Sequence, residues 1–247
     1  MTPGGLAFSK DTVTNMGDVE EIDLSATPVL LHRSGVMICP QDKVLVVADL
    51  HFEKASSYAE RGVFLPPYDT AATLAALDRI LDTFQPELVI ALGDSFHDRR
   101  ATDRLPEVFR GEINRLQQRR QWIWIAGNHD PEPPADLDGD HALEIAIGNL
   151  VFRHEPLDGE APGEVAGHLH PAARLRRRGR SVRRRCFATN GQRIVLPAFG
   201  ALTGGLNVLD SAWSGIFPGR GFETWMMGRD RLYRVAAKQL LADKSSG

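Results

Sequence analysis

Eight side chains of this sequence are of the kinds that grip divalent cations or move protons, and each sits where a short apolar run ends. Asp49 and His51 follow Val44-Leu45-Val46-Val47-Ala48, and Asp94 follows Leu88-Val89-Ile90-Ala91-Leu92-Gly93. Asn128 and His129 follow Trp122-Ile123-Trp124-Ile125-Ala126-Gly127, His154 follows Leu150-Val151-Phe152, and His168 and His170 follow Val165-Ala166-Gly167. One such end taken alone is ordinary, because turns call for Asp, Asn and Gly. Five in succession are not, and five of the eight His in the chain fall in them. Carboxylate, amide oxygen and imidazole without thiolate suit Mn²⁺, Fe or Zn²⁺ and do not choose among them. The set is too large for one ion. Two divalent cations about 3.5–4 Å apart, bridged by a carboxylate, would use it fully. Such a pair acidifies a shared water enough to attack at neutral pH.

These residues need a frame that ends its strands at one place. The runs at 44–48, 88–92 and 122–126 read as strands buried on both faces. Between them, Ala72, Leu74, Ala75, Leu77, Ile80, Leu81 and Phe84 make a helical stripe that Asp69 or Thr70 can cap and Pro86 ends. A second helix is expected from about 103 to 120. Strand, site and helix thus recur three times, an α/β pattern in which ligands gather beyond the carboxyl ends of strands. Before the first module, 28–31 and 36–38 flank Ser34-Gly35 as a hairpin, with His32 expected at the surface. The second half changes rhythm. A hairpin around Gly148-Asn149 is followed by short strands near 173–178, 183–189 and 193–197, a Gly-rich loop at 200–207, and a last strand at 232–235. Two sheets in one domain over 25–240 are expected, with 1–24 a loose arm and 244–247 frayed.

At 247 residues the chain can bury a substantial core. Its formal net charge of −3 does not announce a nucleic-acid binder. The two cysteines, Cys39 and Cys186, suggest neither a disulfide framework nor a Cys-based zinc site. No run reaches transmembrane length and the N-terminus has no basic region before an apolar one, so a cytoplasmic protein is expected.

The order Asp-x-His, Gly-Asp, Gly-Asn-His-Asp, a lone His and Gly-His-x-His resembles the calcineurin-like metallophosphoesterases across residues 49 to 170. The resemblance implies a four-layer α/β/β/α sandwich, two mixed sheets flanked by helices, around a binuclear centre. By motif, Asp49, His51, Asp94 and His170 would hold the first metal. Asp94, Asn128, His154 and His168 would hold the second, with Asp94 as the bridge. Mn²⁺ is the first candidate, with Fe or Zn also fitting. His129 would not ligate but face the phosphate and the leaving oxygen as general acid, with Asn128 beside it at the substrate. Many relatives place an Asp three residues after the bridging Asp. Here that position is His97 and Asp98 follows, so Asp98 or Asp130 is left to orient His129, and His97 either acts or packs. Lys54 reaches the phosphate or stays solvated. A narrower likeness joins Val47–Lys54, Gly93–Asp98 and Pro197–Gly200 with Thr203–Asn207 to the PdeM-type group, the ligase-associated DNA-damage-response endonucleases. It implies a nuclease with DNA ligase, helicase and nuclease associates.

Arginines crowd residues 174–185 directly after Gly-His-Leu-His. As a hairpin turning at Gly179 they are either a solvated face or a rim, with Arg176 and Arg178 near the phosphate, that attracts DNA or RNA without reading sequence. The alternatives to a nuclease are a small-molecule or cyclic-nucleotide phosphoesterase and a metal-free scaffold.

Overall fold

The structure, a computed structural model, describes residues 17–243 apart from 64, 66, 67, 99, 131–136 and 178. The first sheet holds β1 (Val19–Leu24), β2 (Thr27–His32), β3 (Met37–Cys39), β4 (Val44–Val47), β5 (Leu88–Ala91), β6 (Gln121–Ile125) and β7 (Asp140–Ala142), side by side in chain order. The first four pair antiparallel and the last four parallel. The parallel steps are bridged by α1 (Lys54–Glu60) with α2 (Asp69–Phe84), and by α3 (Ala101–Arg104) with α4 (Glu107–Gln117). Parallel crossovers are right-handed, so steps in one direction put all these helices on one face of the sheet. There Leu74, Leu77, Leu81, Ile113 and Leu116 pack on Leu45, Val47, Val89 and Trp124.

The other face carries Val44, Val46, Ala48, Ile90 and Leu92, and meets the second sheet through Leu150, Phe152, Val165, Phe187, Ile194 and Leu196. Strands apolar on both faces are what this double covering requires. The second sheet holds β8 (Glu144–Ile147), β9 (Leu150–Arg153), β10 (Glu164–Ala166), β11 (Pro171–Arg177), β12 (Arg180–Thr189), β13 (Ile194–Val195), β14 (Leu206–Asn207), β15 (Glu223–Met227) and β16 (Leu232–Ala236). Its order is β14-β11-β12-β13-β10-β9-β8, with β15 and β16 joined through β12. A third apolar layer, Trp213, Ile216, Phe217, Phe222 and Leu240, covers its outer face.

The α/β class with two mixed sheets stands, with few helices. Among the described residues the layer outside the second sheet is loop and 3₁₀ turn rather than α-helix. Residues 19–24, expected in the loose arm, form β1, because Val19 to Leu24 pair in register with His32 to Thr27 and seal the sheet edge; residues 1–16 and 244–247 lie outside the described residues. The helix expected over 103–120 is split at Pro106, which has no N–H to continue it. Asp69 and Thr70 do not cap α2. Their side chains accept the N–H groups of Ala55 and Glu53 at 2.9 Å each, tying α2 to the start of α1.

Candidate metal centre

β4 and β5 keep pairing beyond their last strand residues. His51 N–H donates to the Asp94 carbonyl at 2.9 Å and Phe52 N–H to that of Ser95 at 2.8 Å. This ladder sets Asp49 and His51 beside Asp94. The second sheet is stitched to the same point. Phe199 and Gly200 N–H groups donate to the carbonyls of Ala48 and Asp49 at 2.8 and 3.1 Å. His168 N–H reaches both Asp49 carboxylate oxygens at 3.2 and 3.1 Å. The chain bends sharply here: φ is +54° at Asp49, +47° at His51, +47° at Asp94, +68° at His168 and +46° at His170. Left-handed backbone costs a residue other than glycine on the order of 1 kcal/mol or more. Five such residues meeting at one point mark a place held by the surrounding structure rather than by local preference.

Two ligand clusters result. Asp49, His51 and His170 each offer an atom, all within 4.8 Å of one another, and so do Asp94, His154 and His168. His51 Nε2 lies 3.2 Å from His170 Nε2, and His154 Nε2 3.2 Å from His168 Nδ1. The Leu92 carbonyl, 2.8 Å from His154 Nδ1, can only accept, so that nitrogen keeps its proton and Nε2 is the atom left to bind. Burial and the neighbouring His170 push His51 down to about 2, so its imidazole is neutral.

Charge tests whether cations fit. Asp49 is fully buried and Asp94 is 2% exposed. Buried carboxylates require a positive partner. Among the described residues only His154, His170 and His129 stand at ion-pair distance from them, and no Lys or Arg does. Burial opposes a charged His154, yet its hydrogen bond to Asp94 and the charge of Asp49 raise it to about 9. The pocket asks for positive charge, and the carboxylate–imidazole donors suit a borderline divalent cation. Two glycines make room. A Cβ on Gly93, whose φ is +72°, would come within 2.6 Å of the His154 ring, and one on Gly127 would strike Asp94.

Past β6, His129 is anchored by its N–H to Asp94 Oδ1 at 2.9 Å, with Nε2 3.9 Å from Asp94 Oδ2 and its side chain 50% exposed. Exposed Asn128 lines the same cleft. The His97 ring lies flat on that of His129, centroids 5.6 Å apart at 14°, and meets His51 edge-on at 5.5 Å. Asp98 lines the same cleft but, among the described residues, makes no hydrogen bond to His129. It holds Arg104 through both oxygens at 2.9 and 2.8 Å and accepts Arg100 N–H. Against its partial burial, Arg104 and Ser57 keep it down at about 2. Asp130 faces the backbone, accepting Phe96 N–H at 2.9 Å, and burial raises it to about 7.

Among the described residues of the arginine run, Arg176 lies away from the cage. β11 leaves His170 in extended form, so exposed Arg176, six residues on, lies about 20 Å along the strand. Arg178 lies outside the described residues. Arg185 turns inward instead and donates to the carbonyls of Ala198, Gly200 and Thr203 at 2.9, 3.0 and 3.1 Å. It thus braces the loop bonded to Asp49, a part that a string of like charges gives no sign of. Half-buried Lys54 opens α1 within reach of the charge of Asp69 and Arg185.

A family model described as calcineurin-like phosphoesterase matches residues 42–191. Among solved structures, the Pseudomonas putida nuclease MPE is similar at 32% identity and a TM-score of 0.68, over 88% of this chain and 100% of that one. Yfce, a phosphoesterase from E. coli, is 10% identical with a TM-score of 0.39, over 78% of this chain and 98% of its own. No curated protein matches the sequence.

Proposed function

The chain belongs to the calcineurin-like phosphoesterase family, metal-dependent hydrolases of phosphate esters, and on that premise we propose that it cleaves phosphodiester bonds in nucleic acid at a binuclear centre. Asp49, His51, Asp94 and His170 would hold one cation, and Asp94, Asn128, His154 and His168 the other. The supporting observation is that two buried carboxylates, without a Lys or Arg partner among the described residues, sit among imidazoles from both sheets. When bound, the cations neutralise the phosphate oxygens and lower the pKa of the attacking water. The chain supplies the rest. His129, tied through its backbone to Asp94 and open to the cleft, gives a proton to the departing oxygen. The stacked His97 fixes the plane of that ring. Asn128 stands beside the ester, and Mn²⁺ is the proposed metal. The likeness to a nuclease favours a polynucleotide over a small ester. Resemblance to the ligase-associated group favours a cytoplasmic role in DNA repair. No helix among the described residues is long and apolar enough to cross a membrane.

The test is a substrate panel with Mn²⁺: bis-p-nitrophenyl phosphate, p-nitrophenyl phosphate, cyclic nucleotides, and single- and double-stranded DNA. Turnover of the diester and cleavage of DNA, abolished by EDTA and restored by Mn²⁺, is expected. Turnover confined to the monoester or to cyclic nucleotides would contradict the reading.

A further inference from the structure

The cleft beside His129 holds a positive charge that its own carboxylates do not balance. Its volume is about 550 Å³, and Asn128, His129, Arg61, Arg100 and Arg104 face it. Asp98 takes the guanidinium of Arg104. Glu60 is shared, one oxygen 3.4 Å from Arg100 and the other 3.4 Å from Arg104. Arg61, exposed at the C-terminal end of α1, has no carboxylate partner among the described residues. Three guanidinium groups therefore face two carboxylates in the cleft lining. Arg104 is fixed, with a side chain 12% exposed, whereas that of Arg100 is 72% exposed. An exposed pair like Arg100–Glu60 contributes only about 0–1 kcal/mol, so Arg100 can turn to a better acceptor. One surplus charge and two mobile guanidinium forks suit a single phosphate.

We propose that this cleft binds a second phosphate of the substrate strand, the neighbour of the one being cleaved, with Arg61 and Arg100 donating to its oxygens. The inference rests on the phosphodiesterase reading above. The cleft runs from Asn128 and His129 to Arg61, so the part of the strand on the leaving-oxygen side passes over it. Glu60, still holding Arg104, keeps the cleft from accumulating further anions.

The test compares the Mn²⁺-loaded full chain on d(TpT), on d(TpT) phosphorylated at its 5′ or its 3′ end, and on bis-p-nitrophenyl phosphate. Added phosphate at one end is expected to lower KM about tenfold relative to d(TpT). In Arg61→Ala that advantage should shrink below twofold, and Arg61→Lys, which keeps the charge, should recover part of it. On a longer single strand, the slope of log kcat/KM against log salt should be shallower in Arg61→Ala by about 0.7, the loss of one phosphate contact. No gain from phosphate at either end, a gain that survives Arg61→Ala, or an equal loss on all substrates would overturn the site. Failure of the wild type to turn over bis-p-nitrophenyl phosphate would instead sink the phosphodiesterase reading.

Discussion

Asp94 and His129 touch each other, yet their duties are separable. Asp94 belongs to the cluster with His154 and His168, bonded to the His129 N–H and 3.5 Å from His154 Nε2. Asp94→Ala should therefore remove both bound metal and turnover. His129→Ala should lower kcat by about 10²–10⁴, the usual worth of a general acid, while metal content holds. Metal analysis beside rate measurements checks this, and equal metal loss in both variants would refute the division. The types and order of these residues were legible because a ligand must be a particular residue in any fold. The partner of His129 was not. Asp98 and Asp130 are near in sequence, but a guanidinium holds Asp98 and a backbone N–H takes one oxygen of Asp130, whereas ring stacking singles out His97.

The hairpin of β2 and β3 and the inward-turned end of β12 each turn on one side chain. His32 was expected at the surface. It packs edge-on against Phe84 at 5.5 Å, and its Nδ1 accepts the N–H of Ser34 at 3.1 Å. Burial pushes its pKa down to about 4, with Asp18 opposing and Arg33 assisting. The unfolded chain takes up this proton near 6.5, so the His32 contribution is complete above that pH and lost as pH falls towards 4. Urea midpoints of wild type and His32→Gln should diverge near neutrality and converge in acid, and a constant gap would contradict the assignment. Arg185→Ala should cost about 2–3 kcal/mol, since several carbonyls lose a charged donor, and Arg185→Lys should not restore it without the fork. Thermal unfolding of the three proteins decides it. Apolar runs and turn residues showed β2–β6 and α2 in advance, because local pattern determines them. The short partner strands β1, β7 and β15 were missed, because their place is decided by what they pair with.

Three apolar layers stack across the whole molecule: helices on sheet, sheet on sheet, and sheet on loops. The loop layer is fastened by Arg193, 2% exposed. It pairs with Glu164 on β10 and donates to the carbonyls of Leu157 and Ile216 at 2.9 and 3.1 Å. Arg193→Ala leaves buried Glu164 with Arg153 at 3.4 Å and the Leu157 N–H at 3.0 Å and takes a donor from two carbonyls, so it should cost about 3 kcal/mol in chemical denaturation; a cost below about 1 kcal/mol would show the Arg193–Glu164 pair to be dispensable. Nothing near Arg193 in the sequence points to it, since its partners come from three separate segments. The layering also places the cage: β4, β5, β9 and β10 carry the residues that follow them, Asp49, Asp94, His154 and His168, to one place. Metal content of the purified wild-type chain probes that convergence most directly. The account predicts two divalent ions per chain after loading with Mn²⁺, and fewer than one in Asp49→Ala/Asp94→Ala. A wild-type chain that binds one ion or none, or that binds two with both carboxylates gone, would contradict it.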